Sequence, residues 1–386
     1  MTNEINNEIP RPIGWLYYHP ETYKLYYANS KPDNMKYLCD WNMGITWDGT
    51  RTPKEYRPFI TKNGDIVFVW RGELSSTYEE SRQNPIVYPA GDYNNPVVVD
   101  LGTGIKPTSW LMNTGADYIY NQGVFLFAEY TRPVHENAYV WRVTEPLTDP
   151  NNWTTVHSIP ISADVSAGYK HYHTINYDPF SHRIYMTTGD VDIAAKIFSS
   201  NDYGLTWNIE LEGDRSYARV TNFIFTKDKA YYANDDNLHY LYSIPRDVNG
   251  VLDFTQVERL YNLSGHPPTY INVLIEDPYG ILILNRHDSP SNGPLSVLFR
   301  DIETGTMHNL KDLYPYGDSA ITYGFRVEAA NFYHAKGDNR IVTGFGNPFN
   351  RIGILGNSYA SLVNNIAMEV RKIGDVYDIK FSAIAY

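Results

Sequence analysis

The sequence predicts an all-β fold, a single β-propeller domain over residues 1–386. Composition is the first reason: 34 Tyr and 8 Trp favour strands, while 27 Gly and 23 Pro supply turns. The second is a repeated pair of short alternating strands, about 50 residues from one copy to the next. The copies begin at Gly14, Tyr56, Asp117, His171, Arg219, Tyr270 and Arg326. Short third and fourth strands follow without intervening helices, which is typical of propeller blades.

Seven blades of four antiparallel strands are favoured, and six remain possible because the last copy lacks a clear fourth strand. A β-sandwich is the alternative, since it also has short strands and regular turns. Residues 1–12 are predicted to form a flexible lead, and 357–386 a short C-terminal helix and a closing strand. The helix is predicted because Leu362, Ile366 and Val370 fall mostly on one helical face.

Charge and composition exclude several classes of protein. The formal charge of -12 is spread along the chain, which argues against a nucleic-acid partner. The single cysteine, Cys39, excludes an intrachain disulfide. The N-terminus has no basic region followed by an apolar run, and no long apolar segment occurs, so neither a signal peptide nor membrane insertion is predicted. The expected location is cytoplasmic, or outside the host cell if the chain belongs to a virion.

The segment 199–210, "SSNDYGLTWNIE", predicts a tight turn between the third and fourth strands of blade four. The Asp202 carboxylate can accept N–H groups of its own loop, and Gly204 permits an unusual backbone angle. Its spaced polar and aromatic residues are Ser200, Asp202, Gly204, Thr206 and Trp207. We expect these residues to be structural.

This turn resembles the Asp-box, or BNR repeat, of sialidase-like propellers, whose pattern is Ser-x-Asp-x-Gly-x-Thr-Trp. A degenerate copy, "DWNMGITW", keeps the pattern at Asn42, Gly44, Thr46 and Trp47. The resemblance implies that these turns lie on the face opposite the substrate site. The segment "YRPFITKNGDIVFVWRGE" is similar to the sialidase entry motif, which implies that Arg57 binds a substrate carboxylate.

Polar residues cluster where first strands start and second strands end, on the face opposite the Asp-box turns. Solvated strand ends also collect charge, so a single residue there carries little weight. The predicted catalytic residues are Glu129, His171, His173, Asp190, Asp288 and Glu328. The predicted substrate-binding residues are Arg57, Arg71, Glu73, Arg132, Asp192, Arg219, Asp235, Arg286, His287 and Arg326.

Carboxylates, imidazoles and guanidinium groups together suit glycan chemistry, with acids and bases for bond cleavage and arginines for anionic groups. We therefore predict that the chain binds and cleaves a cell-surface or cell-wall polysaccharide, as a glycoside hydrolase or polysaccharide lyase but not a true sialidase. The alternatives are a non-catalytic glycan- or receptor-binding module, such as a phage tail protein, and a protein-interaction platform. The "HYH" at 171–173 is an acid-base pair, half of a metal site, or a hydrogen-bonded histidine pair of the channel, which is the more common outcome for such a pattern. Metal and cofactor are both predicted as none, because no motif has ligand spacing.

Overall fold

A computed structural model describes backbone and side chains over residues 61, 65–70, 82–260 and 305, apart from 109–114, 120, 132–135, 165, 222, 233 and 235–239. Elsewhere it describes the backbone of the strands named below. Strands dominate, and the part described includes one short α-helix, α1 (Arg215–Ala218). Among these residues, none of the helices combines the length and apolarity that crossing a membrane requires.

The first three sheets follow one another along the chain. Sheet 1 contains β1 (Trp15–His19), β2 (Lys24–Ala28) and β3 (Lys36–Asp40). Sheet 2 contains β4 (Tyr56–Ile60), β5 (Ile66–Trp70), β6 (Ile86–Tyr88) and β7 (Val97–Val98). Sheet 3 contains β8 (Ala116–Ile119), β9 (Val124–Ala128), β10 (Asn137–Thr144) and β11 (Trp153–Pro160). Each is an antiparallel sheet in which chain neighbours pair.

The next three sheets repeat this order. Sheet 4 contains β12 (Tyr172–Asp178), β13 (Arg183–Thr188), β14 (Lys196–Ser200) and β15 (Asn208–Glu212). Sheet 5 contains β16 (Val220–Phe225), β17 (Lys229–Asn234), β18 (Tyr240–Pro245) and β19 (Glu258–Asn262). Sheet 6 contains β20 (Thr269–Asp277), β21 (Gly280–His287), β22 (Ser296–Asp301) and β23 (Met307–Asn309). Short 3-10 helices occupy the connections at Pro150–Asn152, Asp192–Ala194 and Phe254–Gln256.

The C-terminal strands form two smaller sheets. β24 (Arg326–Val327) pairs with β26 (Phe345–Gly346), and β27 (Ile366–Ile373) lies between β25 (Arg340–Thr343) and β28 (Val376–Ala383). The helix predicted from 357 onwards is therefore wrong over Ile366–Ile373, where pairing with β25 and β28 outweighs the helical pattern. The closing strand is present as β28. If the C-terminal group is counted as one unit, it and the six preceding sheets make seven units, the blade number that the sequence favours.

The sheets pack face to face as propeller blades. The first strands β8, β12, β16 and β20 contact one another in sequence, which places them along the inside of the ring. In β9, Phe125 and Phe127 pack towards sheet 2, whereas Leu126 packs towards sheet 4. Both faces of such a strand are buried, which explains the continuous apolar run "VFLFA". The fold is an all-β propeller, as predicted.

The Asp-box turn joins β14 to β15, the third and fourth strands of sheet 4. Asp202 Oδ1 accepts hydrogen bonds from Ser200 Oγ (2.8 Å) and Thr206 N (2.9 Å), and its Oδ2 accepts one from Thr206 Oγ1 (2.6 Å). Ser200 Oγ in turn accepts one from Gly204 N (2.8 Å). Gly204 has a φ of 85°, and its missing Cβ leaves room for Leu126. These contacts give the motif a structural role in the turn.

Replacing Asp202 with Ala should lower the free energy of unfolding by about 1–2 kcal/mol, because three local hydrogen bonds are lost at a partly exposed position. Urea unfolding followed by tryptophan fluorescence measures the change. Lys227→Ala, at an exposed loop position, is the matched control and should stay within about 0.5 kcal/mol of the wild type. Equal effects from the two substitutions would contradict the structural role of the turn.

Candidate functional site

A cluster of polar side chains lies where β12 begins and β13 ends, at the end of sheet 4 opposite the Asp-box turn. β12 contributes His173, and His171 immediately precedes the strand. Pairing with β13 shifts register between Tyr172 and Thr174, so His173 sits in a β-bulge. Bulges redirect side chains and are common beside active sites. Both imidazoles therefore reach one place, with ring centroids 5.2 Å apart.

The Asp190 carboxylate is the centre of the cluster. His171 Nε2 lies 3.2 Å from Oδ2, and His173 Nε2 lies 3.8 Å from Oδ1. Arg219 donates a hydrogen bond to Oδ1 at 2.7 Å. The Lys170 ammonium lies 3.4 Å from Oδ2. The structure thus brings together four residues predicted to belong to the site, with Lys170 in addition.

The local backbone makes this convergence possible. Asp190 has a φ of 88°, a conformation that non-glycine residues rarely adopt and that is found at functional sites. Arg219 follows α1 and directly precedes β16, so it occupies in sheet 5 the position that His171 occupies in sheet 4. A Cβ on Gly189 would come within 2.5 Å of Arg219 Cγ and 2.7 Å of His173 Cε1. Only glycine allows this approach.

Two buried ring nitrogens of the cluster, Nδ1 of His171 and Nδ1 of His173, have no hydrogen-bond partner among the described residues. Each such atom costs about 1–3 kcal/mol of stability. Native proteins carry few of them, and a functional site is one reason to retain them. Their concentration around one carboxylate marks this cluster as the best candidate site in the described part of the chain.

Two members of the cluster differ in charge: His171 is neutral and Asp190 is ionised. Burial, partly offset by Asp190, lowers the pKa of His171 from 6.5 to about 3, so this imidazole is neutral at physiological pH. Burial opposes ionisation of Asp190, but the proximity of His173, His171 and Arg219 outweighs it and holds the pKa of the carboxyl well below its usual range. Asp190 is therefore a carboxylate with a guanidinium partner.

His171, His173 and Asp190 could also hold a metal ion, because one donor atom from each lies within 4.8 Å of the others. Two imidazoles and one carboxylate suit zinc or iron. However, Arg219 and Lys170 already place two positive groups beside the single carboxylate. A divalent cation would meet this positive charge at short range, so the charges favour an anionic or polarised neutral ligand instead.

Glu129 does not belong to this cluster. Its carboxylate is fully buried and accepts hydrogen bonds from two nitrogens of Arg82 (2.7 and 2.8 Å), Thr108 N (3.1 Å), Tyr139 N (3.0 Å) and Trp141 Nε1 (2.8 Å). Five donors saturate both oxygens, so no lone pair faces a substrate. The geometry corrects the predicted catalytic role of Glu129 to a structural one.

Of the remaining predicted residues, Asp192 is the one whose side chain the structure describes. Asp192 is exposed on the rim, where Arg215 N donates a hydrogen bond to it at 3.2 Å. Six predicted site residues lie outside the described residues: Arg71, Glu73, Arg132, Asp235, Asp288 and Glu328. The same holds for Asn42, Gly44, Thr46 and Trp47 of the degenerate box. For Arg57, Arg286, His287 and Arg326 only the strand backbone is described, in β4, β21 and β24.

Sequence reasoning missed four residues around the site: Lys170, Tyr130, Gly189 and Arg82. Lys170 and Tyr130 adjoin residues that were predicted, and the sequence neighbourhood could have suggested them. Gly189 directly precedes the predicted residue Asp190, but only the spatial neighbours reveal why glycine is needed. Nothing in the sequence indicates that Arg82 pairs with a glutamate 47 positions away.

Comparison with solved structures finds the same fold over nearly the whole chain. A protein from Lactobacillus plantarum has a TM-score of 0.54 at 11% identity, with 96% of each chain covered. A periplasmic gluconolactonase from Pseudomonas aeruginosa has a TM-score of 0.53 at 12% identity, covering 96% of this chain and 98% of that one. A putative 6-phosphogluconolactonase from Bacteroides fragilis has a TM-score of 0.51 at 11% identity, covering 96% and 95%. No protein-family model and no curated protein matches the sequence.

These similarities show the β-propeller fold and correct the predicted family. Three of the similar structures are named gluconolactonase or putative 6-phosphogluconolactonase, so the assignment to the Asp-box sialidase-like superfamily is wrong although the turn itself is present. The predicted polysaccharide-binding and polysaccharide-cleaving function, the cell-wall partner and the phage tail role are wrong for the same reason: the functional names among these structures refer to a small sugar lactone.

Gly189→Ala should destabilise the protein by about 1–3 kcal/mol, because the new methyl group overlaps Arg219 and His173. Urea unfolding of Gly189→Ala, Arg219→Ala and the double variant measures this as a double-mutant cycle. The double variant should lose less stability than the sum of the two single losses, since Arg219→Ala removes one of the overlapping groups. Strict additivity would show that the close approach at Gly189 is absent in solution.

Lowering the pH should reduce the free energy of unfolding, because His171 is held neutral in the folded protein. Its folded pKa of about 3 lies below the unfolded value, so between pH 6.5 and 3 only the unfolded chain binds the proton. The stability contributed by neutral His171 is present above pH 6.5 and is lost as the pH falls. Relative to His171→Asn, the wild type should lose about 2 kcal/mol between pH 7.5 and 5. Urea unfolding of both proteins at several pH values tests this, and a constant difference between them would contradict it.

Proposed function

We propose that this propeller hydrolyses a small sugar-derived lactone at the cluster around Asp190. The single observation that carries the proposal is the meeting of two imidazoles, a guanidinium and an ammonium group on one partly buried carboxylate at the end of sheet 4 opposite the Asp-box turn. Polar groups converging at the mouth of a ring are the usual arrangement of a small-molecule site in a β-barrel or propeller.

The chemistry of lactone opening matches the groups present. A water oxygen attacks the lactone carbonyl carbon while an imidazole accepts the water proton, and negative charge develops on the carbonyl oxygen. Arg219 and Lys170 are the cations available to stabilise that oxygen. When the intermediate collapses, the ring C–O bond breaks and the departing ring oxygen takes the proton back from the imidazolium. The products are a hydroxyl group and a carboxylic acid, which ionises into solvent.

We assign the role of proton acceptor to His173. Burial lowers the pKa of His171 to about 3, which makes His171 a weak base. His173 turns its Nε2 towards the Asp190 carboxylate, which favours a proton on that nitrogen and leaves Nδ1 as the acceptor. Asp190 thus orients the base and stabilises the imidazolium that forms, as carboxylates do in hydrolytic triads.

The names of similar structures support a lactone substrate. The Pseudomonas aeruginosa protein is called a gluconolactonase, and two Bacteroides proteins are called putative 6-phosphogluconolactonases. The excess of positive groups in the cluster suits a lactone that carries an anionic substituent as well as a neutral one. We therefore take glucono-δ-lactone and its 6-phosphate as the first substrates to test.

His173→Ala should lower kcat/KM for lactone hydrolysis at least about 100-fold, because the proton acceptor is removed. The rate is followed by acid release with a pH indicator, after subtraction of the spontaneous reaction. Asp202→Asn, in the turn at the far end of sheet 4, is the matched control and should retain wild-type kcat/KM. A folded wild-type protein that opens neither lactone above the spontaneous rate would refute the proposal, as would full activity in His173→Ala.

A further inference from the structure

The ring of Tyr130 covers His171. Their ring centroids are 3.9 Å apart and their planes are inclined by 34°. The His171 side chain is only 5% exposed, whereas Tyr130 is half-buried. Tyr130 therefore packs against this imidazole and covers one side of it, although it makes no contribution to the chemistry described above.

The backbone on both sides of Tyr130 is held in place. Glu129 N donates a hydrogen bond to Tyr139 O at 3.0 Å, which ties the segment to β10. On the other side, Tyr172 N donates to Glu129 O at 3.1 Å and Thr131 Oγ1 donates to Lys170 O at 3.0 Å. Residues 129–131 thus bridge sheet 3 and the start of β12, next to His171.

The side chain of Glu129 anchors this bridge. Its carboxylate forms a two-pronged ion pair with Arg82, which precedes β6 in sheet 2. Arg82 also donates to the carbonyl oxygens of Lys106 (2.7 Å) and Asn137 (3.1 Å). Both side chains are buried, with exposures of 2% and 0%. Such a pair keeps its geometry because separating it would leave a buried charge without a partner.

The groups facing His171 explain why its environment matters. Asp190 attracts a proton to the imidazole, whereas His173, Lys170 and Arg219 oppose protonation. Burial is the largest of these influences, and the ring of Tyr130 supplies one wall of that burial. Without this wall, water would reach the imidazole and stabilise its charged form.

We propose that Tyr130 is a positioning residue of the site, whose ring holds the His171 imidazole against Asp190 and keeps water from it. The Arg82–Glu129 ion pair fixes Tyr130 in this place from one residue away. This role concerns His171 itself, so it stands or falls independently of the lactone as substrate.

The test is a histidine titration by NMR in the full-length protein with isotopically labelled imidazole rings, using His171→Asn to assign the His171 signals. Between pH 8 and pH 4, the wild-type His171 signals should move by no more than about a tenth of their full titration shift, because the folded pKa lies near 3. In Tyr130→Ala, the titration midpoint should rise by at least about one pH unit, a tenfold change in the proton-binding constant, so about half of the shift or more should appear by pH 4. In Tyr130→Phe, which keeps the ring, the signals should behave as in the wild type.

Two further variants keep the test decisive. Tyr130→Leu retains much of the side-chain volume, and it should show the same upward shift if Tyr130→Ala fails to fold. Glu129→Gln loosens the anchor and should produce a smaller shift in the same direction. A folded Tyr130→Ala or Tyr130→Leu protein whose His171 signals match the wild type would overturn the proposal. So would an upward shift in Tyr130→Phe, because the hydroxyl group rather than the ring would then control His171.

Discussion

The buried ion pair between Arg82 and Glu129 is the interaction on which the arrangement of the site depends. Taking two charges out of water is costly, and a bidentate geometry with further hydrogen bonds is needed to offset that cost. Here Arg82 comes from sheet 2, the carboxylate from the end of sheet 3, and the Glu129 backbone accepts a hydrogen bond from the first residue of β12 in sheet 4. These contacts fix the positions of sheets 2, 3 and 4 relative to one another at the end where the polar cluster lies. The ion pair fixes the relative position of the blades more precisely than apolar packing between them does.

The repeat of the fold explains how the cluster is assembled. His171 and Arg219 stand immediately before the first strands of consecutive sheets, so these two blades present side chains at equivalent positions. Register shifts recur at the starts of β12, β16 and β20, and the shift in β12 brings His173 beside His171. The cost of the arrangement is concentrated at one place: a positive φ at Asp190 and two buried imidazole nitrogens without hydrogen-bond partners among the described residues. Surrounding packing stabilises this local strain, which is how functional sites persist in stable domains.

The parts of this structure that sequence could predict are those set by neighbouring residues. Alternating apolar residues predicted the hairpins of sheets 2 to 6, and the spacing of Ser200, Asp202 and Thr206 predicted the turn and, through it, the end of the sheet that carries His171 and Asp190. The failures depend on distant partners. Glu129 reads as a candidate acid until Arg82 is known to saturate it. The apolar pattern of Ile366–Ile373 fits one face of a helix, but the segment forms a strand that pairs with β25 and β28.

The Asp-box misled the family assignment for a physical reason. Every hydrogen bond that defines the turn joins residues of the same short loop, with Asp202 as the main acceptor. A turn stabilised in this way fits any pair of antiparallel strands, so its presence does not identify the chemistry of the protein that carries it. The polar cluster lies at the opposite end of β13, and its members contact one another rather than the box. A propeller can therefore keep the turn while its chemistry is set by the other end of the sheet.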